Sequence, residues 1–311
     1  MHGRRSTGEA FRPGSELLPY GGILLLALIW GSSFLFIKWG VEAVSPQLVV
    51  LGRCAAATAL LGVVLALRGR SPINPDARRR LGDYAVMAVV YGLIPWLTIS
   101  YGEITVSTGL TGILNATTPL WIAVVAWWVT PRERPRPLNY VGVAIGFGGT
   151  ALLVAPDLAR PGSGGTTLGV LAIMVGAAAY AAGSLYQRRR LAGADPTEAT
   201  FWQMALATLV SIPLAAPTFS SAHPSGLAVA GIAFLGMGAS GVGIVIYYSL
   251  MNTLGAARAS SVSFLLPVVA LLWGALFLHE VVTPRTVVAM AVILAGVFLG
   301  ARRSAGGQVG A

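Results

Sequence analysis

Between its first tyrosine and first lysine the chain reads Tyr20-Gly21-Gly22-Ile23-Leu24-Leu25-Leu26-Ala27-Leu28-Ile29-Trp30-Gly31-Ser32-Ser33-Phe34-Leu35-Phe36-Ile37-Lys38, with no charge before the lysine. A helix rises about 1.5 Å per residue, so a run of this length crosses a hydrocarbon core of about 30 Å. The apolar residues are continuous and do not alternate over ~10-residue segments, which excludes a transmembrane β-barrel and leaves helices as the spanning element. No small-x-small cleavage pattern precedes Lys38, so the run is expected to be a first span and not a removed leader. Working outward, similar runs fall near 20–40, 47–67, 82–101, 105–129, 138–155, 168–187, 199–218, 227–250, 259–278 and 286–301. The expectation is an all-α integral membrane protein with ten transmembrane helices.

Composition agrees. Of 311 residues, 55% are hydrophobic and 10% charged, and the mean hydropathy is +0.75. A soluble domain carries about 25% charged residues to keep its surface in water, so this chain cannot cover a globule that way. Its apolar content is also too high for disorder. Soluble enzymes, disordered tails and fibrous proteins are thereby set aside. The 39 glycines suit helices that approach closely in lipid.

The net charge of +10 is spread in short clusters between apolar runs, so it forms no nucleic-acid-binding face. With the N-terminus in the cytoplasm, every Lys and Arg except Lys38, Arg53, Arg160 and Arg285 falls on the cytoplasmic side. The positive-inside rule therefore predicts a multi-pass protein of the cell inner (plasma) membrane with both termini cytoplasmic. The expected partners are the lipid bilayer and a small-molecule substrate, no nucleic acid, and at most a second copy, as monomer or homodimer. Cys54, the single cysteine, lies in an apolar run and reads as a buried packing residue, with no disulfide or cysteine metal site. No cofactor is expected.

Trp30-Gly31-Ser32-Ser33, followed by Lys38 and Pro46, is echoed about 150 residues later by Tyr180-Ala181-Ala182-Gly183, Arg188 and Pro196. Thr105, Pro119 and Glu133 are echoed by Thr253, Pro267 and Glu280, and Gly142-x-x-x-Gly146 by Gly296-x-x-x-Gly300. These matches fall in fixed order and argue for two five-helix halves. An odd number of spans per half makes the second half enter from the opposite side, the inverted repeat of secondary transporters. The expected organisation is a cytoplasmic tail 1–19, a first repeat 20–157, an external linker 158–167, a second repeat 168–301 and a cytoplasmic tail 302–311.

Trp30-Gly31-Ser32-Ser33-Phe34 with Lys38, Asn115-x-x-x-Pro119 running to Glu133, and Ser260 and Pro267 running to Glu280 resemble the EamA-type drug/metabolite transporter superfamily, over residues 20–301. The resemblance implies a ten-helix bundle, both termini inside, and export of small metabolites or amino acids by alternating access. It does not name the cargo.

Pro119 and Pro267 each sit mid-span. A helical proline frees the carbonyl four residues back, here Asn115 or Ser263, and in lipid that group needs a protein or water partner. The pair is read as kinks that face a central cavity and assist gating, against kinks tolerated by packing alone. Asn115 adds an amide to the cavity wall; its glycosylation sequon lies inside a span and is set aside. Trp30, Tyr91, Tyr180 and Tyr248 are deep aromatics whose polar tips need partners inside the bundle, and Trp96 is a further aromatic with a polar handle. With Ser33, Ser184 and Ser263 they form the candidate substrate-cavity wall, the alternative being helix packing. Tyr20 and Trp128 fit an interfacial belt.

Arg53 is the one basic residue inside a span. It either lines an entrance and attracts a carboxylate or snorkels to the surface. Glu103, Glu133 and Glu280 fall near span ends, so no carboxylate is expected at a span centre, which favours facilitated transport over proton coupling. Gly236-Met237-Gly238-Ala239-Ser240-Gly241 matches a dinucleotide fingerprint without its strand and reads as close helix packing. His2, His223 and His279 are peripheral, so no catalytic residue and no metal site is expected. The leading expectation is a secondary transporter exporting small metabolites such as amino acids. An exporter of drugs or organic cations is the alternative that an internal carboxylate would favour. An intramembrane enzyme would need clustered acids, histidines or metal ligands.

Overall fold

The computed structural model describes residues 17–129, 137–158, 164–254 and 261–300. Glu133, Arg258, Ser260, residues 1–16 and the tail 302–311 lie outside the described residues, and α1 begins within the expected tail 1–19. Within them the regular elements are helices: α1 (Leu17–Val41), α2 (Pro46–Leu67), α3 (Pro75–Met87), α4 (Ile94–Gly102), α5 (Thr108–Asn115), α6 (Thr118–Val129), α7 (Pro137–Leu158), α8 (Gly164–Arg190), α9 (Pro196–Ala215), α10 (Gly226–Ala233), α11 (Gly243–Leu254), α12 (Val262–Phe277) and α13 (Pro284–Gly300). A π-helical stretch, Ala88–Leu93, joins α3 to α4, and a second, Phe234–Val242, joins α10 to α11. Among the described residues, eight stretches are long and apolar enough to cross a membrane; α12 and α13 are apolar and shorter.

Helix starts are written in the sequence as a cap followed by proline. The Ser45, Asn74 and Asp195 side chains accept the backbone N–H groups of Leu48, Ala77 and Glu198. Pro46, Pro75 and Pro196 then occupy a first-turn position whose missing N–H costs nothing. The Asn74 cap carries the third span back to Pro75, so Arg78–Arg80 sit on a helix where the sequence suggested a loop.

Only 39–50% of each span-length window is buried inside the protein. The outward faces carry residues such as Leu24, Leu171 and Leu276, more than half exposed, which is the surface a hydrocarbon solvent demands. Inside, small residues set the helix spacing. A Cβ on Gly142 would strike the backbone of Gly300, and one on Gly296 the backbone of Gly146. Both Gly-x-x-x-Gly pairs therefore pack α7 against α13 within the bundle, where Asn139 Nδ2 also donates to the Gly300 carbonyl at 2.8 Å. On the α2–α9 seam the Thr58 and Thr208 hydroxyls lie 3.3 Å apart. Cys54 is fully buried there.

The two prolines behave differently. Pro267 lies inside a continuous α12. Pro119 does not kink a helix: the chain breaks at Ala116–Thr117, and Pro119 sits in the first turn of α6. The Thr117 hydroxyl donates to the Leu114 carbonyl (2.6 Å) and the Thr118 hydroxyl to the Asn115 carbonyl (2.7 Å). Local hydroxyls thus supply the donors that a broken helix would leave missing.

Candidate functional site

Arg53, about two turns into α2, does not snorkel. It is 7% exposed, its Nε donates to Ser240 Oγ at 2.6 Å, and its guanidinium carbon lies 4.3 Å over the Trp96 ring. Tyr180 stands close enough to interact with the charge. Among the described residues no carboxylate pairs with this arginine, and its two terminal amino groups have no acceptor.

Ser240 reaches Arg53 because of its backbone. It sits on the π-helical Phe234–Val242 stretch, and a Cβ on Gly236 would strike the Arg53 carbonyl and Ala56. The bare glycine lets the stretch lie against α2. On the same stretch the Ala239 carbonyl accepts the Trp30 Nε1 proton at 3.0 Å. The glycine-rich match is close packing, as the sequence suggested, and it also carries two anchors of the site.

Beyond Trp96 and Tyr180, further aromatic rings pack in the same part of the bundle. Tyr91 and Tyr180 meet edge-on with centroids 5.2 Å apart, and Trp30 tilts against Tyr247 at 5.1 Å. Tyr248 follows Tyr247 at 6.4 Å. Trp30, Tyr180 and Tyr248, each half-buried, pack on the cluster that holds Cys54 and Trp96. Gly183 lets Tyr91 close onto α8, where a Cβ would come within 2.8 Å of the tyrosine, and Ser184 stands beside the Tyr91 hydroxyl.

The structure therefore brings Trp30, Tyr91, Trp96, Tyr180, Ser184 and Tyr248 together and leaves three candidates elsewhere. Ser33 donates to the Ile29 carbonyl of its own helix at 3.3 Å. Ser263 is a half-buried residue of α12. Asn115 ends α5 at the helix break, where its Oδ1 is buried with no hydrogen-bond partner among the described residues; the Trp121 Nε1 of α6 is likewise unpartnered. Buried polar atoms are normally satisfied, which sets this acceptor and donor apart. Sequence reasoning had a signal for Arg53, a lone charge in a span. It had none for Ser240, which looks like any serine in a glycine-rich run.

A cationic fork flanked by aromatic faces can hold a planar anion such as a carboxylate through paired N–H bonds, with apolar groups resting on the rings. The chain as a whole resembles known transporters. The Escherichia coli K12 inner membrane transporter YedA is 28% identical over 91% of each chain. A transporter of Archaeoglobus fulgidus is 26% identical, covering 90% of this chain and 98% of its own. A Streptantibioticus cattleyicolor protein named "Probable terminal-alkyne amino-acid exporter" is 25% identical over 91% of this chain and 93% of its own. A solved crystal structure shares the fold with a TM-score of 0.62 at 19% identity, covering 93% of this chain and 98% of that one. The EamA-like transporter family model matches twice, over residues 18–155 and 167–301; the protein is a membrane-spanning transporter and belongs to the EamA-like transporter family.

Proposed function

We propose that the protein is a secondary transporter that exports small carboxylate-bearing metabolites such as amino acids. The solute is held between two inverted five-helix halves, ten spans in all, that alternate access to a central cavity. The bundle sits in the inner membrane with both termini cytoplasmic. The observation that carries this reading is Arg53: a buried guanidinium is costly without an anion, and among the described residues none pairs with it. A transported carboxylate would supply the missing charge, and Trp96, Tyr180 and Trp30 favour an apolar or aromatic body behind it. The same uncompensated charge disfavours an organic cation as cargo.

Support for inverted halves lies in counterpart contacts. Thr58 and Thr208 are 150 residues apart and meet each other, each donating to a carbonyl one turn back, that of Cys54 or Met204. The two Gly-x-x-x-Gly pairs also meet, and both third spans carry a π-helical stretch.

The test is flux in proteoliposomes of labelled phenylalanine, phenylalanine methyl ester, lysine and the cation tetraphenylphosphonium, for the wild type and Arg53→Gln. The expected result is flux of free phenylalanine, little of its ester, and loss in the variant. Equal flux of acid and ester, or flux of tetraphenylphosphonium in their place, overturns the carboxylate reading.

A further inference from the structure

The turn after α4 buries a carboxylate that the aromatic site does not use. Glu103 is 0% exposed, and neither of its side-chain oxygens has a hydrogen-bond partner among the described residues. Its place near a span end suggested a peripheral group. Gly102 explains the difference: a Cβ there would strike Ile173 and the Gly169 carbonyl of α8, so the bare glycine lets the turn tuck beneath that helix.

The charged groups facing Glu103 are Lys38 on α1 and Glu280 beyond α12. Lys38 Nζ donates to the Glu103 main-chain carbonyl at 2.8 Å and not to its carboxylate. Glu280 grips the start of α5, accepting the Thr108 N–H at 2.6 Å and the Gly109 N–H at 2.8 Å. Gly109 and Gly274 make room for that carboxylate. The polar residues flanking Glu103 in sequence are Tyr101, bonded to Gln47 of α2, Thr105, packed against Gly169 of α8, and Thr108 of α5. The α8 stretch that covers the turn, Gly164 to Ile173, carries no titratable side chain.

The Glu280 grip ties the turn after α12 to α5, and so joins the two family-matched segments at the Lys38 end. An ionised Glu103 without donors is costly in a dry site, and it would also repel Glu280. The neutral acid is compatible with the closed grip. We propose that Glu103 is a proton-binding site of a gate at the Lys38 end, holding its proton while Glu280 grips α5 and releasing it to water when the grip opens. In that step the Glu103 O–H bond breaks and the proton passes to solvent at the opened end. The resulting carboxylate then opposes re-closure until a proton returns. This rests on the alternating-access reading for the existence of a gate, and on no assignment of cargo.

The test is hydrogen–deuterium exchange of the full chain in lipid nanodiscs, following residues 104–112 over a pH series as protection factors corrected for intrinsic exchange. One proton released per opening makes opening more frequent by about tenfold per pH unit, within the window where the closed gate is protonated and the open gate is not. Protection of the Thr108 and Gly109 amides should fall accordingly as pH rises. Glu103→Gln, neutral and of the same shape, should stay protected and flat with pH, while Glu103→Asp keeps the slope. A flat wild-type profile, or a Glu103→Gln profile with the wild-type slope, overturns the proposal. Exchange needs no substrate, so absent phenylalanine flux beside a pH-dependent gate would count against the cargo alone.

Discussion

At the scale of single residues the decisive fact is that a charge inside a span is explained by what surrounds it. Arg53 has a hydroxyl on Nε, an indole beneath its plane and no counter-ion among the described residues. Charge-assisted hydrogen bonds contribute about 1.5–3 kcal/mol, so Arg53→Gln should weaken phenylalanine binding by about 10- to 100-fold. Arg53→Lys should fall between, because an ammonium keeps the charge and loses the fork and the stacking. Ser240→Ala removes one neutral acceptor and should cost about 2- to 10-fold. Titration calorimetry on the purified protein measures all three, and equal affinities across the set would remove Arg53 from the site. The sequence marks Arg53 as exceptional but leaves its direction open, since a long side chain two turns from a helix start can reach either way. Glu103 shows the opposite failure. Its position in sequence looks peripheral, and only the close fit of Gly102 against α8 buries it.

Elements are more legible than sites because hydrocarbon imposes one rule on all of them. Among the described residues the apolar runs are helical, since backbone groups in lipid must be satisfied internally, although the run over 105–129 is two helices and the last two are shorter than the other eight stretches. What periodicity could not supply is where a helix loosens. The break before Pro119 depends on Thr117 and Thr118 hydroxyls turning back onto carbonyls, and Pro267 lacks such neighbours, which leaves α12 continuous. Glycine spacing tells which helices touch only once partners are known. A Cβ on Gly142 would meet the Gly300 backbone, whereas one on Gly148, in the same helix, would meet nothing within 4 Å. Gly142→Ala should therefore destabilise the α7–α13 seam by about 1–3 kcal/mol, as overpacking does. Gly148→Ala should be neutral or slightly stabilising, because alanine is the better helix former. Thermal unfolding in nanodiscs checks the pair, and equal shifts would mean that α7 and α13 do not pack as described.

For the whole molecule the question is which way each half faces. On the proposed repeat, Ser71 and Ser221 are counterparts 150 residues apart, and both are exposed. The structure sets them at opposite ends of α9, a helix of 20 residues, or about 30 Å. Ser71 lies by the start of α9, where Arg70 pairs with Asp195 at 2.7 Å and Trp202 Nε1 donates to the Pro72 carbonyl. Ser221 lies past its end, where the Ser45 and Thr218 hydroxyls join at 2.8 Å. If α9 spans the bilayer, these counterparts face different compartments, and the arginine-rich connection at Ser71 should face the cytoplasm. Cys54 is buried and silent to labelling, so Ser71→Cys and Ser221→Cys each introduce a single reactive thiol. A membrane-impermeant maleimide applied to intact spheroplasts should label Ser221→Cys, and should label Ser71→Cys only after the membrane is opened. Labelling of the two in the reverse sense would overturn the orientation and leave the inverted halves standing. Labelling of both from one side would overturn the inversion itself, and with it the mechanical basis for a cavity that opens alternately at the two ends of the bundle.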